Sequence, residues 1–361
     1  MAYQFADGFD NYGNAFTMVV GYPWSSFNNV GNFTTSTADV RFPPPGSLPG
    51  ACLSVSAATG SWASINMSSN LTTIITGLGV KVASLPTGGT IQPIVDWYDN
   101  TGGLPQVTLG LNASGALQFY RGSVSGTAIG SISANNTITA GAWYGLAMQV
   151  TIDPAAGSVQ LFVNGNAVAS INSTGLNTRN TANTYSNAVR IWGGVASGAG
   201  SPIKYDDFYC LDTTGGFLNA LLGGDARILT KMPASAGNYS NWTPNGLGSN
   251  FQNVAVQPPN VADYNANNTA TTKDSYTMQS ASLGIAPYFV MARASLTRDD
   301  AGTHNPSLFV RSGATDSTGV ATPTLTSSYL FYDAVFQNDP STSAAWTGSG
   351  ADNAQVGIIE G

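Results

Sequence analysis

Ser158-Val-Gln-Leu-Phe-Val163, then Asn164-Gly165, then Asn166-Ala-Val-Ala-Ser-Ile171 is the stretch from which the rest of the chain can be read. Side chains alternate on either side of the Asn-Gly pair, and both of those residues tolerate the positive φ that a type I′ turn demands. Closing the hairpin sets Leu161 opposite Val168 and Phe162 opposite Ala167. Just upstream, Ala140-Gly-Ala-Trp143-Tyr-Gly-Leu-Ala-Met-Gln-Val-Thr-Ile-Asp153 supplies a Trp-led strand that feeds into it. Leu146, Met148 and Val150 continue that strand's pattern, and Trp143 is assigned to the core with them.

The same two-residue period recurs at 51–55, 62–67, 74–82, 90–97, 107–111, 116–121, 142–152 and 203–211, bounded by Gly, Pro or Asn. A dozen short strands in about 210 residues leave no room for crossover helices. Two stacked antiparallel sheets, a jelly-roll sandwich, bury such strands. Composition agrees. Of the 361 residues only 9% are charged, 42 are Gly and 18 are Pro, against a usual charged share of roughly 25%. One of the 19 acids is a glutamate, Glu360, so strong surface helix formers are scarce. The chain reads as all-β.

A net charge of −7 with twelve scattered cations offers no basic face for phosphates, which excludes nucleic acid as a partner. No run of eighteen apolar residues exists to span a bilayer. Met1-Ala2-Tyr3-Gln4-Phe5 carries neither basic nor apolar leader character, so synthesis in a cytoplasm is expected. Cys52 and Cys210 form no framework; they are two buried thiols or a single bridge made later.

A break at Asp212-Thr-Thr-Gly-Gly216 divides the chain into 1–212 and a smaller β-sandwich domain at 213–361. Apolar residues at i and i+4 predict a helical turn over 217–222. Strands are predicted at 226–232, 274–279, 286–295, 306–311 and 328–336. Long polar connections fall at 234–250 and 257–272, lengths that usually bind or cover something.

The Trp143 strand and the Asn-Gly hairpin, in that order, resemble the concanavalin A-like lectin and glucanase (laminin-G-like) superfamily. Phe5-Ala-Asp-Gly-Phe-Asp10 and Lys204-Tyr-Asp-Asp-Phe-Tyr209 look like its first and last strands, which pair in that fold. The second half resembles a domain that follows such a sandwich in bacteriophage virion structural proteins. Leu222-Gly-Gly-Asp225-Ala-Arg227, Asn241-Trp242-Thr-Pro-Asn, Val310-Arg311-Ser-Gly313 and Ala345-Trp346-Thr347 carry that likeness, with Ala292-Arg293, Asp299-Asp-Ala-Gly302 and Asp339-Pro340. The resemblance implies a capsid-decoration, fibre or tail component, made in the bacterial host's cytoplasm and ending on the particle. Its partners would be other virion proteins and copies of itself.

The superfamily includes glucanases that use two glutamates on one strand, about 5 Å apart. One glutamate at position 360 does not meet that requirement, and an enzyme is not expected. His304, the single histidine, lies in Gly302-Thr-His-Asn-Pro306 and reads as a turn residue. Calcium is the one cofactor considered: Asp7, Asp10, Asp206 and Asp207 could meet if the terminal strands pair, or could cap turns instead. A host glycan, the alternative partner, would use aromatic platforms: Trp97 and Tyr98 between Asp96 and Asp99, Trp24 beside Tyr22, and Trp192. In a strand Trp97 and Tyr98 face opposite ways, so one ring is core and one outward. Trp242, Trp346 and the stiff run Pro43, Pro44 and Pro45 are the expected interface residues.

Overall fold

A computed structural model describes residues 3–13, 24–42, 50–56, 60–193 and 202–361. They form two compact units, one within Met1–Phe42 and Gly50–Ile228 and one within Leu229–Gly361. No helix among the described residues is long and apolar enough to cross a membrane.

The first unit stacks two antiparallel sheets. The nine-stranded sheet runs Asn166–Ala167, Gly157–Val163, Trp143–Thr151, Thr73–Val82, Ile203–Asp212, Cys52–Val55, Phe33–Ser36. Tyr3–Asp7 adds to Ile203–Asp212, and Ser173–Leu176 to Gly157–Val163. The seven-stranded sheet runs Thr127–Ile129, Leu117–Arg121, Leu104–Leu111, Gln92–Asp99, Ser186–Trp192, Trp62–Leu71, Ser26–Asn28. Between them lie Leu78, Val80, Leu146, Met148, Val150 and Phe208, all buried. Hydrogen bonds also cross the gap: the Trp97 indole donates to Thr76 Oγ1 at 3.1 Å and the Tyr205 hydroxyl to the Ile94 carbonyl at 3.0 Å.

The Asn-Gly hairpin forms in the expected register. Phe162 faces Ala167, Asn164 and Gly165 hold φ of 49° and 77°, and the Val168 amide donates to the Leu161 carbonyl. Its return strand stops at Ala167, well short of Ile171. The terminal strands pair as well, Phe5 facing Cys210 and Asp7 facing Phe208. Trp143, however, is not in the core. It lies three positions before Leu146, an odd offset, so the pleat turns it to the outer face opposite Lys81, where its indole donates to the Asp39 carbonyl.

That outer face is built to be covered. Gly77 lies beneath the Tyr209 ring, and a Cβ on Gly79 would sit 2.7 Å from Arg41 Cδ. Arg41 pairs with Asp225 and with Asp207, whose other oxygen accepts from the Ile228 amide. These bonds tie 213–228 to the first unit, so the division falls after Ile228 rather than at 212. Nor is 217–222 helical: Leu218 holds φ at 55°, which an α-helix excludes.

In the second unit a six-stranded sheet runs Pro233–Ser240, Lys273–Met278, Gln355–Ile359, Ser307–Ser312, Thr315–Asp316, with Val320–Ala321 added to Ser307–Ser312. The paired strands Val290–Leu296 and Leu330–Phe336 share a core with it, formed by Ala292, Leu308, Val310, Tyr332, Phe336 and Ile358 among others. The strand expected at 226–232 is irregular, and Pro233–Ser240 occupies part of the expected connection. Asp274 fastens what remains of those connections, accepting from the Asn250 amide at 2.8 Å and the Tyr276 hydroxyl at 2.6 Å.

Candidate functional site

Directly opposite residues on neighbouring strands share a face, and the ladder of the seven-stranded sheet aligns one row across six strands. It runs Ser26, Ser64, Arg190, Asp96, Thr108, Tyr120. At about 4.8 Å between strands the row spans about 24 Å. Trp62 and Trp192 face each other two residues along from Ser64 and Arg190, while Ala188 and Tyr98 face each other on the row's far side. The odd-numbered neighbours Val95, Trp97, Val189 and Ile191 are fully buried on the core side. Trp62, Tyr98, Tyr120, Arg190 and Trp192 are half-buried.

Asp96 and Arg190 form the row's centre. Asp96 is fully buried; its Oδ2 accepts from the Trp192 indole at 2.7 Å, and its Oδ1 has no hydrogen-bond partner among the described residues. Burial pushes its carboxyl up to about 7, against the pull of the facing Arg190 and the Trp192 hydrogen bond. The Arg190 guanidinium carbon lies 3.1 Å from the Tyr98 ring centre and 4.1 Å from that of Trp62. Its Nε is enclosed, with no hydrogen-bond partner among the described residues.

Of the residues expected to hold a glycan, Asp96, Tyr98 and Trp192 belong to this face. Trp97 does not: it is fully buried between the sheets. Asp99 organises a turn, accepting from the Thr101 and Gly102 amides, the Thr181 hydroxyl and the Asn183 amide. Trp24 is buried against Phe5, Phe9 and Phe208. Tyr22 lies outside the described residues, as do Pro43, Pro44 and Pro45. Arg190 and Trp62 escaped the sequence reading. The signal was present in Ser186-Asn-Ala-Val-Arg-Ile-Trp192, where a cation falls in phase with Trp192 on an otherwise apolar strand.

Of the two readings of Asp7, Asp10, Asp206 and Asp207, the described contacts are those of the second, carboxylates that hydrogen-bond the chain. Asp7 accepts from the Phe9 amide, the Tyr12 hydroxyl and the Trp24 indole. Asp10 accepts from the Ala51 amide. Asp206 and Asp207 do lie together, but Arg41 is in their midst, 2.8 Å from Asp207, and its backbone amide bonds Asp206. A guanidinium fills the place a cation would take. Among the described residues no group of three or more His, Cys, Asp or Glu is arranged to hold a metal ion. Burial pushes both carboxyls up, Asp206 further by the nearby Asp207 and Asp10, while Arg41 opposes the rise at Asp207.

The cysteines are free and buried, with different neighbours: Cys52 Sγ meets the Ser36 carbonyl and Cys210 Sγ the Met67 sulfur. No bridge joins them, and burial pushes both thiols up to about 12. Trp346, expected at an interface, is core, its indole donating to the Phe336 carbonyl at 2.9 Å. Trp242 packs against the same core. His304 is not a free turn residue either. Its two ring nitrogens sit 3.0 Å from Glu360 Oε1 and 3.0 Å from Asp300 Oδ1, hydrogen bonds that raise its pKa.

Residues 59–203 match the model of the Concanavalin A-like lectin/glucanases superfamily, a stretch that carries Trp62, Asp96, Tyr98, Arg190 and Trp192. No curated protein matches the sequence. Among solved structures the chain is similar to the cellulose induced protein Cip1, at 11% identity over 63% of this chain and 100% of that one, with a TM-score of 0.38. It is similar to the catalytic domain of the glycoside hydrolase family 131 protein from Coprinopsis cinerea, at 13% identity over 63% and 100%, TM-score 0.38. Trypanosoma rangeli sialidase is similar at 14% identity over 48% of this chain and 28% of that one, TM-score 0.31.

Proposed function

We propose that the concanavalin A-like lectin/glucanase domain of the first unit binds an oligosaccharide across the outer face of its seven-stranded sheet and releases it uncleaved. One observation carries this: the half-buried Arg190 guanidinium set among the half-buried rings of Trp62, Trp192 and Tyr98, over a buried polar row of Ser64, Asp96 and Thr108. A pyranose offers C–H groups on one face and hydroxyls around its rim. The electron-rich faces of aromatic rings suit the first, and a few fixed donors and acceptors suit the second. Release without cleavage is supported by the carboxylates. Asp96 is the only one that the described strands place on this face, and the two-carboxylate mechanism needs a second within about 10 Å. The full chain is expected to retain ligands on a glycan array, with Trp62→Ala weakening the strongest about tenfold. Failure to bind any sugar overturns the proposal.

A second reading concerns the other unit. Large apolar side chains exposed among the described residues fall mostly within Leu229–Gly361, including Leu247, Val261, Ile285 and Tyr288. Together with the likeness of 222–347 to bacteriophage virion proteins, this supports an assembly role, the second unit joining copies of the chain on a particle surface. Light scattering should find a defined homo-oligomer that Ile285→Asp with Val261→Asp dissociates. A monomer at every concentration removes this reading.

A further inference from the structure

We infer that the saccharide is acidic, with Arg190 receiving its carboxylate; this rests on the carbohydrate reading above. Among the described residues, no hydrogen bond or ion pair engages Arg190, although its guanidinium is held between the rings of Tyr98 and Trp62. A half-buried guanidinium has given up part of its water, and its enclosed Nε–H is left unmet, which is unfavourable. The rings hold its plane but accept little from its edge. A ligand carboxylate supplies two oxygens in the spacing of the guanidinium fork, which a neutral sugar's hydroxyls do not reproduce.

Asp96 lies beneath this surface and acts through its charge. It faces Arg190 directly across the ladder, and its enclosed Oδ1 has no donor among the described residues. The ionisable side chains on this part of the face are Asp96, Arg190 and Tyr98, from two neighbouring strands; Thr108, Ser64, Trp62 and Trp192 complete the surroundings. Burial places the Asp96 carboxyl near 7, so its charge is partly suppressed near neutrality and an arriving carboxylate is repelled less.

The test uses the full chain on an array of uronate- and sialate-bearing oligosaccharides, each printed beside its carboxyl-reduced counterpart. Acidic members should bind about tenfold or more tightly than their reduced forms. Arg190→Gln should erase that difference. Arg190→Lys, which keeps the charge and the stacking stem but not the planar fork, should lose most of it. Trp62→Ala should weaken both forms, the acidic more, because Arg190 also loses one of the two rings that hold its plane. Equal binding of acidic and reduced partners overturns the inference and leaves the carbohydrate reading standing, as does an acidic preference that survives Arg190→Gln. Binding of neither form overturns both.

Discussion

Replacing Arg41 by alanine is expected to destabilise the first unit by about 3–5 kcal/mol, the usual loss when one partner of a buried ion pair is removed. The Arg41 and Asp207 side chains are both buried, 2.8 Å apart, and Asp225 pairs with the same guanidinium. Without it Asp207 keeps the Ile228 amide as a donor but loses its countercharge, at a residue that already holds φ at 51°. The sign of the pH dependence follows from the direction of the shifts. Burial sets the folded pKa values of Asp206 and Asp207 above the unfolded ones, so the folded state holds the protons more tightly. Stability from this source is greatest below the unfolded value near 4 and falls as pH rises through the folded values. Losing the guanidinium raises Asp207 further, so the deficit of Arg41→Ala should be larger at about pH 8 than at about pH 5. Thermal unfolding at both pH values, with hydrogen exchange in Ile203–Asp212 as the local probe, measures this. A loss under about 1 kcal/mol, or one independent of pH, shows that the cluster is solvated and contradicts its burial.

That cluster also shows where sequence reading stops. The pairing of the terminal strands was legible in Phe5 to Asp10 and Lys204 to Tyr209, and it does bring the Asp10 and Asp206 charges close. What no local pattern could show is that Arg41, on an unpaired segment 165 residues before Asp206, inserts among those carboxylates. Trp143 failed for a different reason: the period was right and the phase was miscounted by one residue, which in a pleated strand changes the face. In the second unit the period itself is broken. Register shifts between Pro233 and Ser235 and between Ala236 and Ser240 scramble the alternation that would announce that strand. The ligand face was half legible. Asp96 and Tyr98 stand two apart in one strand, but Arg190 and Trp62 reach them only through strand pairing, and register between distant strands is set by the assembled sheet.

Trp97 and Tyr98 let the two roles be separated with adjacent residues. Trp97→Ala is expected to destabilise the first unit by about 3–5 kcal/mol, as for other fully buried large aromatics. The ring fills the space between the sheets, 5.9 Å from Phe119, and its removal leaves Thr76 Oγ1 without the indole donor. Tyr98→Ala removes a half-buried ring whose main contact is the Arg190 guanidinium, plus a hydrogen bond to the Gly103 carbonyl, and should cost about 1 kcal/mol. Its effect should appear in binding instead, since Arg190 then loses the surface that fixes its plane. Chemical denaturation with hydrogen exchange in Gln92–Asp99, set beside array binding of each variant, gives both numbers. Trp97→Phe should recover part of the stability, because it refills most of the cavity and loses only the indole N–H. If Trp97→Ala is as mild as Tyr98→Ala, or Tyr98→Ala is the more destabilising, the inward and outward faces of this strand are the reverse of those described, and the ligand face moves with them.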